Sequence, residues 1–255
     1  MTHTALVSLS ALALASSAGA ASLITNGSLD AWSGGAPDGW AARDDVGLVQ
    51  VSDLGGGSGS AAQLTATSGT GVGPHLEPTL SGSAADQLYL QFDFQQLTTG
   101  TDKAGGRLMN LTLRNASTSL FNIRVNHNGT DNGLVEIYDG STWQNLGLNQ
   151  TELIDQASVY QLSLDFDLTV GTYDLEILNL SNSTSAASAT GLNWFQSGGG
   201  TAAISEVRFE RGRSVADWVV DNVTIDAVPE PTSAFLLAGS LLPLALKRRR
   251  SGAGE

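Results

Sequence analysis

Apolar and polar residues alternate with a period of two along much of this chain. Leu88, Leu90, Phe92 and Phe94 alternate with Tyr89, Gln91, Asp93 and Gln95. Phe121, Ile123 and Val125 alternate with Asn122, Arg124 and Asn126, and Leu162, Leu164, Phe166 and Leu168 with Ser163, Asp165 and Asp167. Successive side chains of a strand point to opposite faces, so each run predicts a strand with its apolar set on a core. The clearest hairpin joins 159–168 to 173–180 through Thr169-Val170-Gly171-Thr172, with Gly171 free to take positive φ. Further strands are predicted at 46–51, 61–67, 107–114, 134–138, 204–210 and 218–226. Residues 55–60 and 181–190 read as flexible loops, and no amphipathic helix of useful length is read between the two ends of the chain. About nine to eleven short strands separated by Gly, Ser, Thr and Asn predict an all-β fold, a two-sheet antiparallel β-sandwich of the jelly-roll type.

The two ends break this pattern. An apolar run from Ala5 to Ser17 leads into Ala18-Gly19-Ala20, which reads as a secretory signal peptide spanning 1–21. Its start, Met1-Thr2-His3-Thr4, lacks the usual cation. At the other end stand Val228, Pro229, Glu230 and Pro231, then an uncharged run over 232–246, then Lys247, Arg248, Arg249 and Arg250. Proline fixes φ and biases its predecessor toward an extended form, so 228–230 reads as an extended peptide. The apolar run is helix-compatible but shorter than the roughly 20 residues of a comfortable membrane span. A basic cluster directly after it fits a stop on the cytoplasmic side better than a buried core helix. Between the ends lies one predicted domain, 22–227, long enough for a substantial core.

A Pro-Glu-Pro motif, an apolar segment and an arginine cluster in that order resemble the PEP-CTERM sorting signal of Gram-negative-type bacteria. The matching positions are Pro229, Glu230 and Pro231 with Arg248, Arg249 and Arg250, across 228–250. The resemblance implies export, an inner-membrane intermediate held by the C-terminal helix, and recognition by an exosortase-type sorting enzyme. Delivery to the cell envelope, surface or extracellular matrix would follow. It implies no activity for the domain.

Charge narrows the partners of that domain. The chain carries 12 Lys and Arg against 25 Asp and Glu, a net charge of −13. Four of the cations and two of the acids, Glu230 and Glu255, lie in the C-terminal segment, which leaves the predicted domain at −15. Such a surface repels nucleic acid, tolerates neutral glycans and attracts divalent cations. With no cysteine in the chain, thiol catalysis and Cys-ligated zinc are excluded.

The domain opens with Asn26-Gly27-Ser28-Leu29-Asp30, Trp32 and Pro37-Asp38-Gly39-Trp40, and closes with Trp218 and Asp221-Asn222-Val223-Thr224-Ile225. These ends resemble bacterial galactose-binding-like and carbohydrate-binding jelly rolls, while 160–173 is as similar to laminin-G or concanavalin-type sandwiches. Both resemblances imply glycan binding as a family tendency. They also imply a structural calcium between the first loop and the last strand, for which Asn26, Asp30 and Asp221 are the oxygen donors. The alternative is an Asx turn at Asn26 and a surface position for Asp221.

Sugars stack on indoles, and Trp143 and Trp194 fall in polar stretches that read as loops, with Trp32 and Trp40 beside a Gly-Pro-Gly loop. Trp218 alternates with Val220 and reads as core. Arg124, Asn122 and Asn126 form one polar strand face, with Gln91 and Asp93 joining it if the two strands are neighbours. Packing is the competing role for each tryptophan. Asp165 and Asp167, two apart on one strand, are the best candidates for a glycosidase pair, whose carboxyls stand about 5–5.5 Å apart in retaining enzymes. A solvated outer face explains them as well. His75 and His127 lack metal-ligand spacing, and neither glycine triplet leads into a phosphate-binding pattern. Eight Asn-x-Ser/Thr triplets read as by-products of an Asn-, Ser- and Thr-rich chain. No catalytic residue is assigned. The reading is a non-enzymatic glycan-binding or structural surface protein, with a polysaccharide hydrolase as the rival.

Overall fold

The computed structural model describes residues 20–43, 47–65, 75–82, 86–97, 107–116, 118–127, 133–138, 142–145, 158–193, 203–211 and 217–228. The predicted signal peptide through residue 19, Trp194, Pro229, Glu230, Pro231, the apolar run 232–246, and Arg248, Arg249 and Arg250 lie outside them. Among the described residues no helix is long and apolar enough to cross a membrane.

The strands in chain order are β1 (Ala21–Ser22), β2 (Trp32–Ser33), β3 (Ala36–Pro37), β4 (Trp40–Arg43), β5 (Gly47–Ser52), β6 (Ser60–Thr65), β7 (His75–Pro78), β8 (Gln87–Leu97) and β9 (Arg107–Asn115). They continue with β10 (Thr118–His127), β11 (Gly133–Tyr138), β12 (Trp143–Asn145), β13 (Tyr160–Asp167), β14 (Thr172–Asn179), β15 (Thr184–Asn193), β16 (Glu206–Arg211) and β17 (Asp217–Val228). Eight strands form one sheet in the order β15-β14-β13-β8-β17-β6-β5, with β1 paired to β17. Seven form a second sheet in the order β12-β11-β10-β9-β16-β7-β4, and β2 and β3 make a separate ribbon. Every pairing is antiparallel.

The period-two runs bury the faces they predict. Leu88, Leu90, Phe92, Leu162, Leu164 and Phe166 from one sheet are fully buried, as are Leu111, Leu113, Phe121, Ile123, Val207 and Phe209 from the other. Aromatic rings join the two layers: Phe92 meets Phe209 edge-on at 5.1 Å, and Phe121 meets Phe166 at 5.0 Å. Trp218 closes on Phe209 at 6.4 Å, as expected of a core residue. These contacts make the fold an antiparallel β-sandwich.

The predicted hairpin is present, with Asp167 facing Thr172 across the turn and Gly171 at φ 83°. Two local readings are corrected. Residues 184–190, read as a loop, belong to β15, which is uncharged, rich in small residues and largely exposed. An outer strand held mainly by its backbone pairing with β14 needs no apolar alternation. Trp143 lies on the short strand β12 rather than in a loop, paired with Tyr138. The short strands β4 and β7 sit in Trp- and Pro-bearing stretches too brief to show a period.

The N-terminal segment and the closing strand meet. Leu23 N–H donates to Ile225 O and Val223 N–H donates to Gly27 O, both at 2.7 Å. At this crossing β17 carries a bulge between Asp221 and Thr224, where Asn222 takes φ 48°. The Asn26–Asp30 opening and the Asp221–Ile225 closing motif are thus packed side by side. Val228 remains in β17, paired with Gln87, so its extended form comes from the sheet as well as from the proline that follows.

Candidate functional site

The polar positions of β9, β10, β11 and β16 share the face of the seven-stranded sheet that points away from the core. Strand register places one residue per strand in a row across it. Arg43 pairs with His75, His75 with Glu210, Glu210 with Asn110, Asn110 with Arg124, Arg124 with Glu136, and Glu136 with Asn145. The alternation that buries Met109, Leu111 and Leu113 turns Asn110 and Thr112 to this side.

Hydrogen bonds lock the middle of the row. Asn110 Nδ2 donates to Glu210 Oε2 and, at 3.1 Å, to Thr112 Oγ1. Thr112 Oγ1 donates to Asn122 Oδ1 at 2.7 Å, and Asn122 Nδ2 donates to Ser119 Oγ at 2.8 Å. Asn110 and Thr112 are buried although they face outward, at 6% and 4% exposure. Further along, Arg124 Nε donates to Glu136 Oε2 at 2.6 Å, and both side chains are largely buried. The Arg124 guanidinium lies 3.8 Å from the Trp143 ring centroid, a close cation–π contact. Tyr138 packs against the same indole at 5.4 Å. At the other end His75, buried, contacts Glu77 through Nε2 and Oε2 at 3.2 Å, and Arg43 approaches the same carboxylate at 3.9 Å.

Charge is divided between the two sheets. Arg43, His75, Arg114, Arg124 and Arg208 all stand on strands of the seven-stranded sheet. The strands of the eight-stranded sheet carry no Lys, Arg or His, but hold Asp93, Asp165, Asp167, Asp174, Glu176, Asp217, Asp221 and Asp226. On the seven-stranded sheet each of these arginines also meets a glutamate: Arg114 and Arg208 at Glu206, Arg124 at Glu136, Arg43 at Glu77. That face is therefore polar and close to electroneutral on a strongly acidic protein.

The residues picked out from sequence distribute unevenly over this geometry. Arg124, Asn122 and Trp143 come together on this face, with Trp143 half-buried. Gln91 and Asp93 do not join them. They belong to β8 in the opposite sheet, so the two polar strand faces point away from each other. Trp40 is no surface platform: it is 7% exposed, packs on Phe209 at 5.8 Å, and its Nε1–H donates to Asn26 O. Asp165 and Asp167 lie on the outer face of the other sheet, opposite Asp174 and Thr172. Asp167 Oδ1 accepts from the Thr169 hydroxyl, Thr169 N–H and Val170 N–H, which hold its carboxyl below the usual range and make it the cap of its own turn. Asp165 is pushed up by partial burial and then by the charges of Asp174 and Asp167.

Asn26, Asp30 and Asp221 each accept from backbone N–H groups. Asn26 Oδ1 accepts from Ala31 N–H, and its Nδ2 donates to Ala31 O and Asp38 O, so the side chain closes the 26–38 turn. Asp30 Oδ1 accepts from Ser60 N–H at 2.7 Å, and Asp221 accepts from Leu54 N–H at 3.0 Å and Asn222 N–H at 2.8 Å. Together the two carboxylates anchor the loop between β5 and β6. Asp221 is 1% exposed, and burial pushes its pKa to about 6 against those two hydrogen bonds, with the Asp53 and Asp93 charges adding to the rise. Among the described residues no group of three or more His, Asp or Glu is gathered to hold a metal ion. Asp221, buried with an N–H on each carboxylate oxygen, fits a calcium donor set poorly, and no step is routed through one.

Sequence reasoning missed Asn110, Thr112, Glu136, Glu210 and His75. The signal was present in part, since alternation over 107–114 already turns Asn110 and Thr112 outward. Their partnership with Glu210, about 100 positions away, depends on the pairing of β9 with β16, which no local pattern specifies.

No protein-family model matches the chain, and no curated protein matches it. Among solved structures it is similar to a carbohydrate esterase from Shiga toxin-encoding bacteriophage phi24B, with a TM-score of 0.55 and 18% identity over 83% of this chain and 100% of that one. It is also similar to an endo-β-1,4-glucuronan lyase from the fungus Trichoderma reesei, with a TM-score of 0.49 and 9% identity over 83% of this chain and 95% of that one. Peanut lectin aligns with a TM-score of 0.49 and 10% identity over 77% of this chain and 94% of that one. At such identities the likeness concerns the fold, and the bacteriophage esterase carries it.

Proposed function

We propose that this protein binds glycan, without cleaving it, on the outer face of the seven-stranded sheet. The observation that carries the reading is the Arg124–Glu136–Trp143 cluster standing beside the Asn110–Thr112–Asn122 chain of hydrogen bonds. A pyranose offers hydroxyls at its rim and C–H groups on its faces. Polar groups already fixed by their neighbours, next to a partly exposed indole, meet both needs with little ordering on binding. The fold it shares with a carbohydrate esterase agrees with a carbohydrate ligand.

The test is retention on insoluble polysaccharides and retardation in gels containing soluble ones. Wild-type protein is expected to be held, and Trp143→Ala and Arg124→Ala to be released with their melting behaviour otherwise cooperative. Retention of both variants at the wild-type level would place the ligand elsewhere. Reducing-sugar release from the retained polymers is expected to be nil; measurable release that Asp165→Asn abolishes would favour the rival hydrolase.

Export and sorting belong to the same proposal. The segment from Pro229 onward is read as the address that delivers this glycan-binding domain to the cell surface or matrix through an exosortase-type enzyme. Removing residues 229–255, which spares the paired Val228, is expected to release the protein into the medium or periplasm. Unchanged retention in the envelope would contradict it.

A further inference from the structure

We propose that two copies of this chain pair along β15, in a twofold dimer that continues the eight-stranded sheet from one copy into the other. The two sheets have four outer strands, β5 and β15 in one, β4 and β12 in the other. An outer strand offers N–H and C=O groups along its free side, and short length, charge, proline or bulges are the usual protections. β12, β4 and β5 have three, four and six residues. β15 has ten, built from Thr, Ser, Ala, Gly, Leu and Asn, without a charge or a proline. Among the described residues no strand pairs with the side of β15 away from β14. Its register shifts against β14 fall at Ala186 and at 190–191, where Gly191 N–H donates to Asp174 Oδ1 at 2.7 Å. These bulges shorten the straight ladder and admit few registers, which fits one closed pair rather than a slipping stack.

Charge fits a second copy as the occupant. The chain carries −13, so two copies repel unless their acidic rows stay apart. On β14 the exposed side chains Asp174 and Glu176 form such a row. Neighbouring strands stand about 4.8 Å apart, so a β15 pair leaves about 14 Å between one β14 and the other. That exceeds the screening length of about 8 Å at physiological salt. β15 is therefore an uncharged spacer, and its small side chains meet their own copies without a clash. An antiparallel pair of equivalent strands in one continuous sheet has its twofold axis perpendicular to that sheet. Both seven-stranded sheets then face the same side, and a long polymer is held at two points. That consequence rests on the glycan reading above, whereas the dimer does not. Small side chains bury little area, which places the pair at the weak, concentration-dependent end of protein interfaces.

Sedimentation velocity of the full chain, in mild detergent and without polysaccharide, tests this between about 1 and about 100 μM. Monomer is expected to give way to dimer across that range, and removing residues 229–255 to leave the dimer intact. Raising salt from about 50 to about 500 mM is expected to leave the dissociation constant unchanged or to lower it. Ser188→Lys is expected to raise that constant at least about tenfold, by setting like charges on the paired edge. Val49→Lys, on the exposed outer strand β5, is expected to dimerise as wild type. The chain has no cysteine, so single cysteine substitutions along 184–190 report the register. One of them is expected to link two copies on oxidation, since a residue opposite its own copy brings two Cα atoms to about 5.5 Å. A chain that stays monomeric throughout would overturn the proposal, as would a dimer that Ser188→Lys leaves unchanged and no cysteine links. A dimer dissolved by salt would mean that ion pairs hold it. Open-ended polymers would mean that β15 meets β5 of the next copy, and either result overturns the twofold pair. Polysaccharide retention does not enter this readout, so its failure leaves the dimer standing.

Discussion

Gly27 is a point where space decides the sequence. A Cβ built there would meet Val223 O at 2.0 Å, and that contact is backbone on a central strand that cannot step aside. Gly27→Ala is expected to destabilise the fold by about 2–4 kcal/mol in urea melts, which an unchanged midpoint would contradict. Asp221 supplies a pH signature. Its pKa rises from 3.8 to about 6 on folding, so the folded protein keeps a proton that the unfolded chain has released. The stability this contributes is fully present below the unfolded value and is lost as pH rises through the folded one. It amounts to about 3 kcal/mol at most. Asp93, also raised mainly by burial, acts in the same sense. Melts of wild type and Asp221→Asn between pH 4 and pH 7 should show the wild type losing more stability across that window, whereas parallel curves would mean that Asp221 titrates normally. At Arg124 the prediction concerns binding: the residue holds Trp143 in place and is itself held by Glu136, so truncation removes a positioned pair rather than a lone charge.

Strands carry the next set of expectations. Phe209 on β16 touches Trp40, Phe92 and Trp218, and therefore joins the edge strand β4 of its own sheet to the centre of the other sheet. Phe209→Ala is expected to cost about 3–5 kcal/mol, read from the denaturation midpoint. A loss below about 1 kcal/mol would mean that the layers are not joined there. Strands such as β8, β10, β13 and β14 were legible because burial on one face writes a strict period of two into the residues themselves. β15 was not, because an outer strand of Thr, Ser and Ala needs only its backbone to pair. β4, β7 and β12 are too short for a period to appear. The candidate site was legible only in pieces: Arg124, Asn122 and Trp143 could be picked out as chemistry, yet their neighbours Asn110, Glu136 and Glu210 follow from strand order. Gln91 and Asp93 were grouped with Arg124 for the same reason in reverse, since alternation gives a strand's faces but not the sheet it joins.

Taken together, the sandwich separates its charge. The ionisable side chains on the strands of one sheet are all acidic, and on the other Arg43, Arg114, Arg124 and Arg208 each stand beside a glutamate. The acidic side repels polyanions, and the proposed binding reading puts the glycan on the balanced side. Asn26, Asp30 and Asp221 each accept from a turn or loop N–H, which argues against a calcium ion held among them. Excess chelator is accordingly expected to leave the melting temperature unchanged, and a drop of several degrees would restore a metal between the first loop and the last strand. Amide chemical-shift mapping on isotope-labelled protein with a bound neutral polysaccharide bears on the binding face most directly. The shifts are expected to concentrate at Asn110, Thr112, Asn122, Arg124, Glu136 and Trp143, with β13, β14 and β15 silent. Shifts centred on Asp165, Asp174 and Glu176 instead would contradict the assignment of the binding face.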